Sequence, residues 1–206
     1  MIENLIRLIY PNKCIVCEDI IKDGYECEEC RSYEYFKPSK TANAAFVYEG
    51  VTKDTILRFK FNKKTFMAQG LSFYMHNALD KSIFKSIDFI TFVPIHKRKM
   101  RERGFNQADL LAKGLGRLAK LPVKNVLLRL VYTQPLKGIS GPARAGIIKN
   151  AIAYNKKVNI LGKRILIIDD IYTTGTTIEK CKEVLLSAGA KSVSHACFCV
   201  VGKSRD

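Results

Sequence analysis

Two groups of residues in this 206-residue chain have types and spacing suited to chemistry. The first is RILIIDDIYTTGTT at 164–177. Two adjacent carboxylates, Asp169 and Asp170, follow an unbroken apolar run. Thr173, Thr174, Gly175, Thr176 and Thr177 then form a hydroxyl-rich turn around one glycine. A turn of this kind at the head of a helix presents unpaired backbone N–H groups and the positive end of the helix dipole, which favour a phosphate. Carboxylates beside a phosphate need another purpose, because the two repel. Ribose hydroxyls or a bound Mg²⁺ supply one. The bland alternative is a strand–turn–helix junction with exposed acids and capping threonines. Either acid alone fits that alternative; the whole pattern points to a sugar-phosphate site.

The second group is Cys14-x-x-Cys17 with Cys27-x-x-Cys30, four of the seven cysteines. Each pair can put two thiolates on one ion, and two pairs complete a tetrahedral Zn²⁺ shell with no open position for catalysis. Disulfides are the competing reading, but no export signal is visible. Neither knuckle carries the glycine that often eases such a turn; Glu18 and Arg31 follow the second cysteines. Cys181, Cys197 and Cys199 stand apart and read as buried packing residues.

These groups need elements to hold them. Residues 165–168 are apolar and mostly β-branched, the pattern of a strand covered on both faces in a parallel sheet. Ligands of such sheets bind beyond the carboxyl ends of the strands. Strands are expected at 44–48, 87–93 and 192–201, and helices at 53–61, 66–79, 106–119 and 178–188. The helix at 106–119 should bury Leu110, Leu111, Leu115 and Leu118. Gly114-x-Gly116 lies within that helical pattern, so it is no dinucleotide fingerprint. The alternation implies an α/β domain over 41–206, and residues 1–40 form a metal-dependent appendage with a leading docking helix.

A basic loop follows the 87–93 strand. Five cations and one acid lie between Lys97 and Arg103. On the rim that carries the acid pair, such a loop is an anion site, and Arg101 and Arg103 suit it better than a solvent-facing Lys99, since a guanidinium grips two phosphate oxygens. His96, Lys97 and Arg98 complete the candidate set.

Composition sets limits. Hydrophobic residues make up 47%, which places the chain among globular proteins. No apolar run reaches the length of a membrane span, and a cytoplasmic location is expected. The net charge of +16 favours polyanionic partners without choosing among them.

The 164–177 stretch resembles the phosphoribosyl pyrophosphate (PRPP) motif of type I phosphoribosyltransferases. Together with the paired cysteines, PIHKRKMRERGFNQADLLA at 94–112 and RLVYTQPLKGISGPARAGIIKNAI at 129–152, the chain resembles the ComF family of competence-associated proteins, in its zinc-finger form. The resemblance implies a type I phosphoribosyltransferase-like parallel sheet flanked by helices, with a small four-Cys zinc subdomain. It implies Asp169 and Asp170 on the ribose hydroxyls with Mg²⁺, 173–177 on the 5′-phosphate, and the basic loop on pyrophosphate. Arg129, Thr133, Gln134, Leu136, Arg144 and Asn150 fall where relatives carry a hood over the substrate.

Function then divides. In one reading the protein binds PRPP and acts in uptake of single-stranded DNA during natural transformation, beside a helicase-like partner. Lys60, Lys63 and Lys64 interleaved with Phe59, Phe61 and Phe66 offer a cationic track with stacking rings, although such phenylalanines are more often core. In the other it transfers ribose 5-phosphate from PRPP to a nitrogen acceptor and releases pyrophosphate. Thr173 stands where purine-salvage relatives often carry an acid, which leaves the general base, the acceptor and the oligomeric state unassigned.

Overall fold

The computed structural model describes residues 11–31, 36–41, 43–132 and 151–202. The leading helix and the hood residues other than Arg129 lie outside that set. The strands are β1 (Ala44–Val47), β2 (Phe89–Phe92), β3 (Leu127–Arg129), β4 (Ile152–Tyr154), β5 (Arg164–Tyr172) and β6 (Ser192–Val200). The helices are α1 (Glu28–Arg31), α2 (Gly50–Phe61), α3 (Met67–Ala78), α4 (Ser82–Lys85), α5 (Lys97–Arg103), α6 (Gln107–Ala119) and α7 (Thr176–Ser187).

β1, β6, β5 and β2 form one parallel sheet in that order, and β3 and β4 pair as a separate antiparallel hairpin. The apolar run of β5 fills the centre. Ile165, Leu166, Ile167 and Ile168 are fully buried, each contributing about 1.5–3 kcal/mol of hydrophobic free energy. Both outer edges are covered. Pro38 bridges Phe46 on the β1 side and Val123 bridges Ile90 on the β2 side, which removes unpaired edge groups that invite association.

α3 and α6 pack together, and a side chain on Gly114 would collide with Ser72 of α3. That glycine serves close helix packing. The buried stripe of α6 is Ala108, Leu111, Ala112 and Leu115; Leu118 is exposed and Leu110 only partly buried, so the stripe is rotated from the expected one. Small residues let the helix sit close to the sheet, and periodicity scored on leucines alone misplaces the face. α7 buries Ile178, Cys181 and Leu185 and packs on β4, β5 and β6. Cys197 and Cys199 are buried in β6, as packing residues would be.

The segment 11–31 is docked on the sheet domain. Ile15 is buried in the common core, and a Cβ on Gly70 of α3 would lie 2.8 Å from it. Among the described residues no helix is long and apolar enough to cross a membrane.

Candidate functional site: a charged cleft at the sheet rim

Sheet register places the chemistry. Phe92 of β2 lies opposite Ile168 of β5, and β2 ends there. β5 continues beside β6, with Asp169 opposite Cys197 and Tyr172 opposite Val200. The acids therefore sit inside a strand and not at its end, as the apolar run alone implied. The strand outlasts its apolar run because β6 keeps pairing it on one side. On the other side, the loss of β2 opens a cleft of about 250 Å³.

Asp169 and Asp170 both line this cleft, with Lys60, His96, Lys99, Arg103, Arg129 and Thr177. Asp170 is only 7% exposed. Its Oδ2 accepts from Lys60 Nζ at 2.8 Å and its Oδ1 from the Ile171 amide at 3.1 Å. Asp169 Oδ1 accepts from the Asp170 amide at 2.9 Å. Burial works against both charges. For Asp170 the Lys60 ammonium and the hydrogen bonds outweigh it and hold the carboxyl below its ordinary range. For Asp169 burial and the neighbouring Asp170 charge act together and push the carboxyl well up. Two identical side chains are thus driven in opposite directions by their surroundings.

Behind the acids, Gly175 takes φ +75° at the start of α7. It is buried, and a Cβ there would collide with the Tyr172 hydroxyl. Only glycine fits both the left-handed backbone and the space. Gly175 offers no side-chain cap, so the first-turn amides have no intrahelical acceptor. Thr174 and Thr176 hydroxyls meet at 2.9 Å. Of the turn, Thr177 reaches the cleft, whereas Thr173, Thr174 and Thr176 are exposed beside it.

The basic run is a helix, not a loop. His96 caps α5 by accepting from the Arg98 amide through Nδ1 at 3.2 Å, and Gly104 ends it at φ +84°. This geometry divides the cations. Lys99 and Arg103, four apart on one face, line the cleft; Lys97 and Arg101 face a separate groove beside β3. Arg98 pairs with Glu102 at 3.0 Å and lies over the Tyr132 ring. The expected preference for Arg101 over Lys99 is thus reversed. Reading 97–103 at helical period groups Lys99 with Arg103, and that was the available signal. Burial and the nearby Arg103, Arg129 and Lys60 charges lower the Lys99 pKa.

Lys60 was missed as a site residue, and of the aromatic track Phe61, Phe66 and Lys63 are exposed while the other three members are buried or paired. Lys60 pairs with Asp170 and Lys64 with Glu18, while Phe59 is fully buried. Phe61 is 60% exposed, with the Arg103 guanidinium 5.3 Å from its ring centroid. No local pattern marks Lys60; it reaches the acid across 110 positions of sequence.

At the other end of the molecule the four knuckle sulfurs lie within 4.8 Å of one another. Cys17 and Cys27 sulfurs are 3.7 Å apart, close to the ~3.8 Å edge of a tetrahedral zinc thiolate shell. Amides of Val16 and Cys30 donate to Cys14 and Cys27 sulfurs at 3.4 Å. All four are free cysteines, and the cluster is compatible with structural metal binding. Glu18 occupies the position of the missing glycine at φ +71°. Arg58 at 3.3 Å and Lys64 hold its carboxylate. Arg58 also donates to the Ile15 carbonyl at 3.2 Å. The strained turn is thereby tied to α2.

The phosphoribosyl transferase domain model matches residues 102–206, just over half of the chain. The chain is 28% identical over 169 residues to the competence protein ComFC of Streptococcus pneumoniae, covering 82% of this chain and 72% of that protein. It is 29% identical to ComFC of Bacillus subtilis, covering 77% and 62% respectively. It is 30% identical to the DNA utilization protein YhgH of Escherichia coli K12, covering 70% and 65%. For the latter two, the match spans less than two thirds of the relative's length. A parallel sheet with paired acids and a threonine–glycine turn at its rim agrees with these matches, and the chain belongs to the phosphoribosyl transferase domain family, in its ComF type.

Proposed function

We propose that the cleft binds PRPP with Mg²⁺ and that the protein acts in handling single-stranded DNA during natural transformation. One observation carries the ligand reading. The acid pair, the head of α7 and the cations Lys99, Arg103 and Arg129 converge on a single cleft at the carboxyl rim. In this reading Asp169 and Asp170 meet the ribose hydroxyls, with carboxylate oxygens of the kind a hard cation takes. The amides and hydroxyls of 173–177 receive the 5′-phosphate. Lys99 and Arg103, with His96, receive the pyrophosphate; Lys97, Arg98 and Arg101 lie outside that role. The four cysteines hold structural Zn²⁺.

The DNA role rests on the competence and DNA-utilization relatives together with the +16 charge. The outward face of α5, where Lys97 and Arg101 are exposed, is a surface for a polyanion. A helicase-like partner belongs to the same reading, as does a cytoplasmic site of action.

PRPP–Mg²⁺ should raise the melting temperature, and the double variant Asp169→Ala, Asp170→Ala should remove that shift. An equal shift in the double variant sinks the site assignment. The cation cluster favours a second reading, ribosyl transfer, because a leaving pyrophosphate needs preorganised positive charge. Pyrophosphate release from PRPP with a nitrogen base distinguishes it from simple binding.

A further inference from the structure

Leu128 in β3 and Leu130 just beyond it are two apart, and so on one face, and they are 39% and 59% exposed. Across the hairpin Leu128 meets only Ala153, whose side chain is too small to cover it. Met100 of α5 is a third exposed apolar side chain. All three line the groove beside β3, a space of about 710 Å³ walled by α5 and β3. Its charge comes from Lys97 and Arg101, both exposed and one helical turn apart, and from Arg129. Among the described residues no carboxylate lines it. The one acid of α5, Glu102, is taken up by Arg98 at 3.0 Å. Tyr132 ties the two walls together, with its ring 5.4 Å from that of His96 and the Arg98 guanidinium 4.6 Å over it.

We propose that this groove binds a segment of single-stranded DNA, with successive phosphates on Lys97 and Arg101 and unstacked bases against Leu128, Leu130 and Met100. This rests on the DNA-handling reading and deepens it, because it names the surface that tells a single strand from a duplex. Cations alone hold either form. Apolar side chains reach base faces only where the bases are unstacked, and a duplex keeps those faces against one another.

Two features favour a nucleic-acid strand over an acidic protein segment. Side chains four apart on a helix stand about 5–6 Å from each other at Cβ, a spacing suited to charges repeated at every residue of a polymer. The groove also adjoins the charged cleft, since Pro94, Ile95, Asn106 and Arg129 line both. Arg129 therefore adds positive potential to each, and the two spaces form one continuous cationic surface with an apolar side. A polyanion that also carries flat apolar groups matches that surface in both respects.

The test is fluorescence anisotropy of a labelled mixed-sequence oligonucleotide, as a single strand and as its duplex, with the zinc-loaded full chain. Leu128→Asn with Leu130→Asn should weaken single-strand binding roughly tenfold. Duplex binding and the salt dependence should not change, since no charge is removed, and the melting temperature should hold because both side chains are exposed. Leu128→Phe with Leu130→Phe keeps the apolar surface and should retain or raise single-strand affinity. Lys97→Ala with Arg101→Ala should weaken both forms of DNA. Wild-type single-strand affinity in the asparagine variant overturns the proposal and leaves the groove to a protein partner. Equal weakening of single strand and duplex overturns it too, as does a loss that the phenylalanine variant shares. Absence of single-strand binding in wild type is a different failure, that of the DNA-handling reading itself.

Discussion

The knuckle and the cleft both gather charged or chargeable groups, yet they are built in opposite ways. The knuckle draws its four sulfurs from 17 consecutive positions, residues 14–30. The cleft takes its lining from α2, α5, α6, α7, β3 and β5. A local cluster depends on its ion for stability, because so short a segment buries little core. A dispersed cluster depends on the sheet, and its members matter to the ligand more than to the fold. The two should respond differently to the same kind of insult.

Removing the knuckle's ligands should have the largest effect on stability. Metal analysis should find about one zinc per chain. Chelation or Cys14→Ser should lower the melting temperature by an amount worth several kcal/mol, less than the ~10–16 kcal/mol of free-standing zinc fingers. The shortfall arises because Ile15 and the Glu18–Arg58–Lys64 contacts still dock the segment. Calorimetric melting with and without chelator checks this; an unchanged transition breaks the contrast with the cleft.

A backbone position in the cleft comes next. Gly175→Ala combines a left-handed φ with a collision at Tyr172, and should cost about 1–3 kcal/mol and weaken phosphate-ligand binding. Gly104→Ala has the same hand of φ but open space, and should cost about 1–2 kcal/mol at most. Equal losses at the two glycines count against a tight phosphate turn.

The paired acids sharpen the comparison within the cleft itself. Asp170 has a depressed pKa, so its stabilisation is present above the unfolded carboxylate value and lost as pH falls through the folded one. Asp170→Asn should therefore cost about 1.5–3 kcal/mol at pH 7, the worth of a hydrogen bond to a charged group, and this loss should fade in acid. Asp169 has a raised pKa, so its ionisation costs stability as pH climbs from the ordinary carboxylate range. Asp169→Asn should be neutral or stabilising at pH 7, with the gain vanishing below about pH 4. Melting curves across pH decide the matter; like signs for the two variants contradict the assignment.

Those predictions also show what the residues disclosed before any fold was known. Cysteine spacing gave the knuckle outright, because its geometry is local. The sheet strands were legible from apolar runs, since burial on both faces leaves an unbroken pattern. Asp169 and Asp170 were expected where the strand ends, and they lie inside it, on the cleft. Lys60 was not legible, because nothing within ten residues signals an ion pair formed through strand order. Lys99 was misassigned by reading a helix as a loop. The α6 stripe was misplaced by weighing leucines over alanines. Local codes were readable, and partnerships made by packing were not.

The smallest effect belongs to the outer face of α5. Single-stranded DNA binding should weaken as salt rises, and Lys97→Ala with Arg101→Ala should flatten that dependence by about one to two units of slope. Stability should barely change, since both side chains are exposed. A slope untouched by the pair moves the DNA surface elsewhere.

Titration calorimetry of PRPP–Mg²⁺ into the metal-loaded protein addresses the central claim most directly. Wild type should bind one equivalent with heat, and the Asp169→Ala, Asp170→Ala variant should give none while keeping its zinc and a cooperative melting transition, lowered by the lost Lys60 pair. Equal binding by both proteins, or none by wild type, contradicts a sugar-phosphate site at the rim of β5.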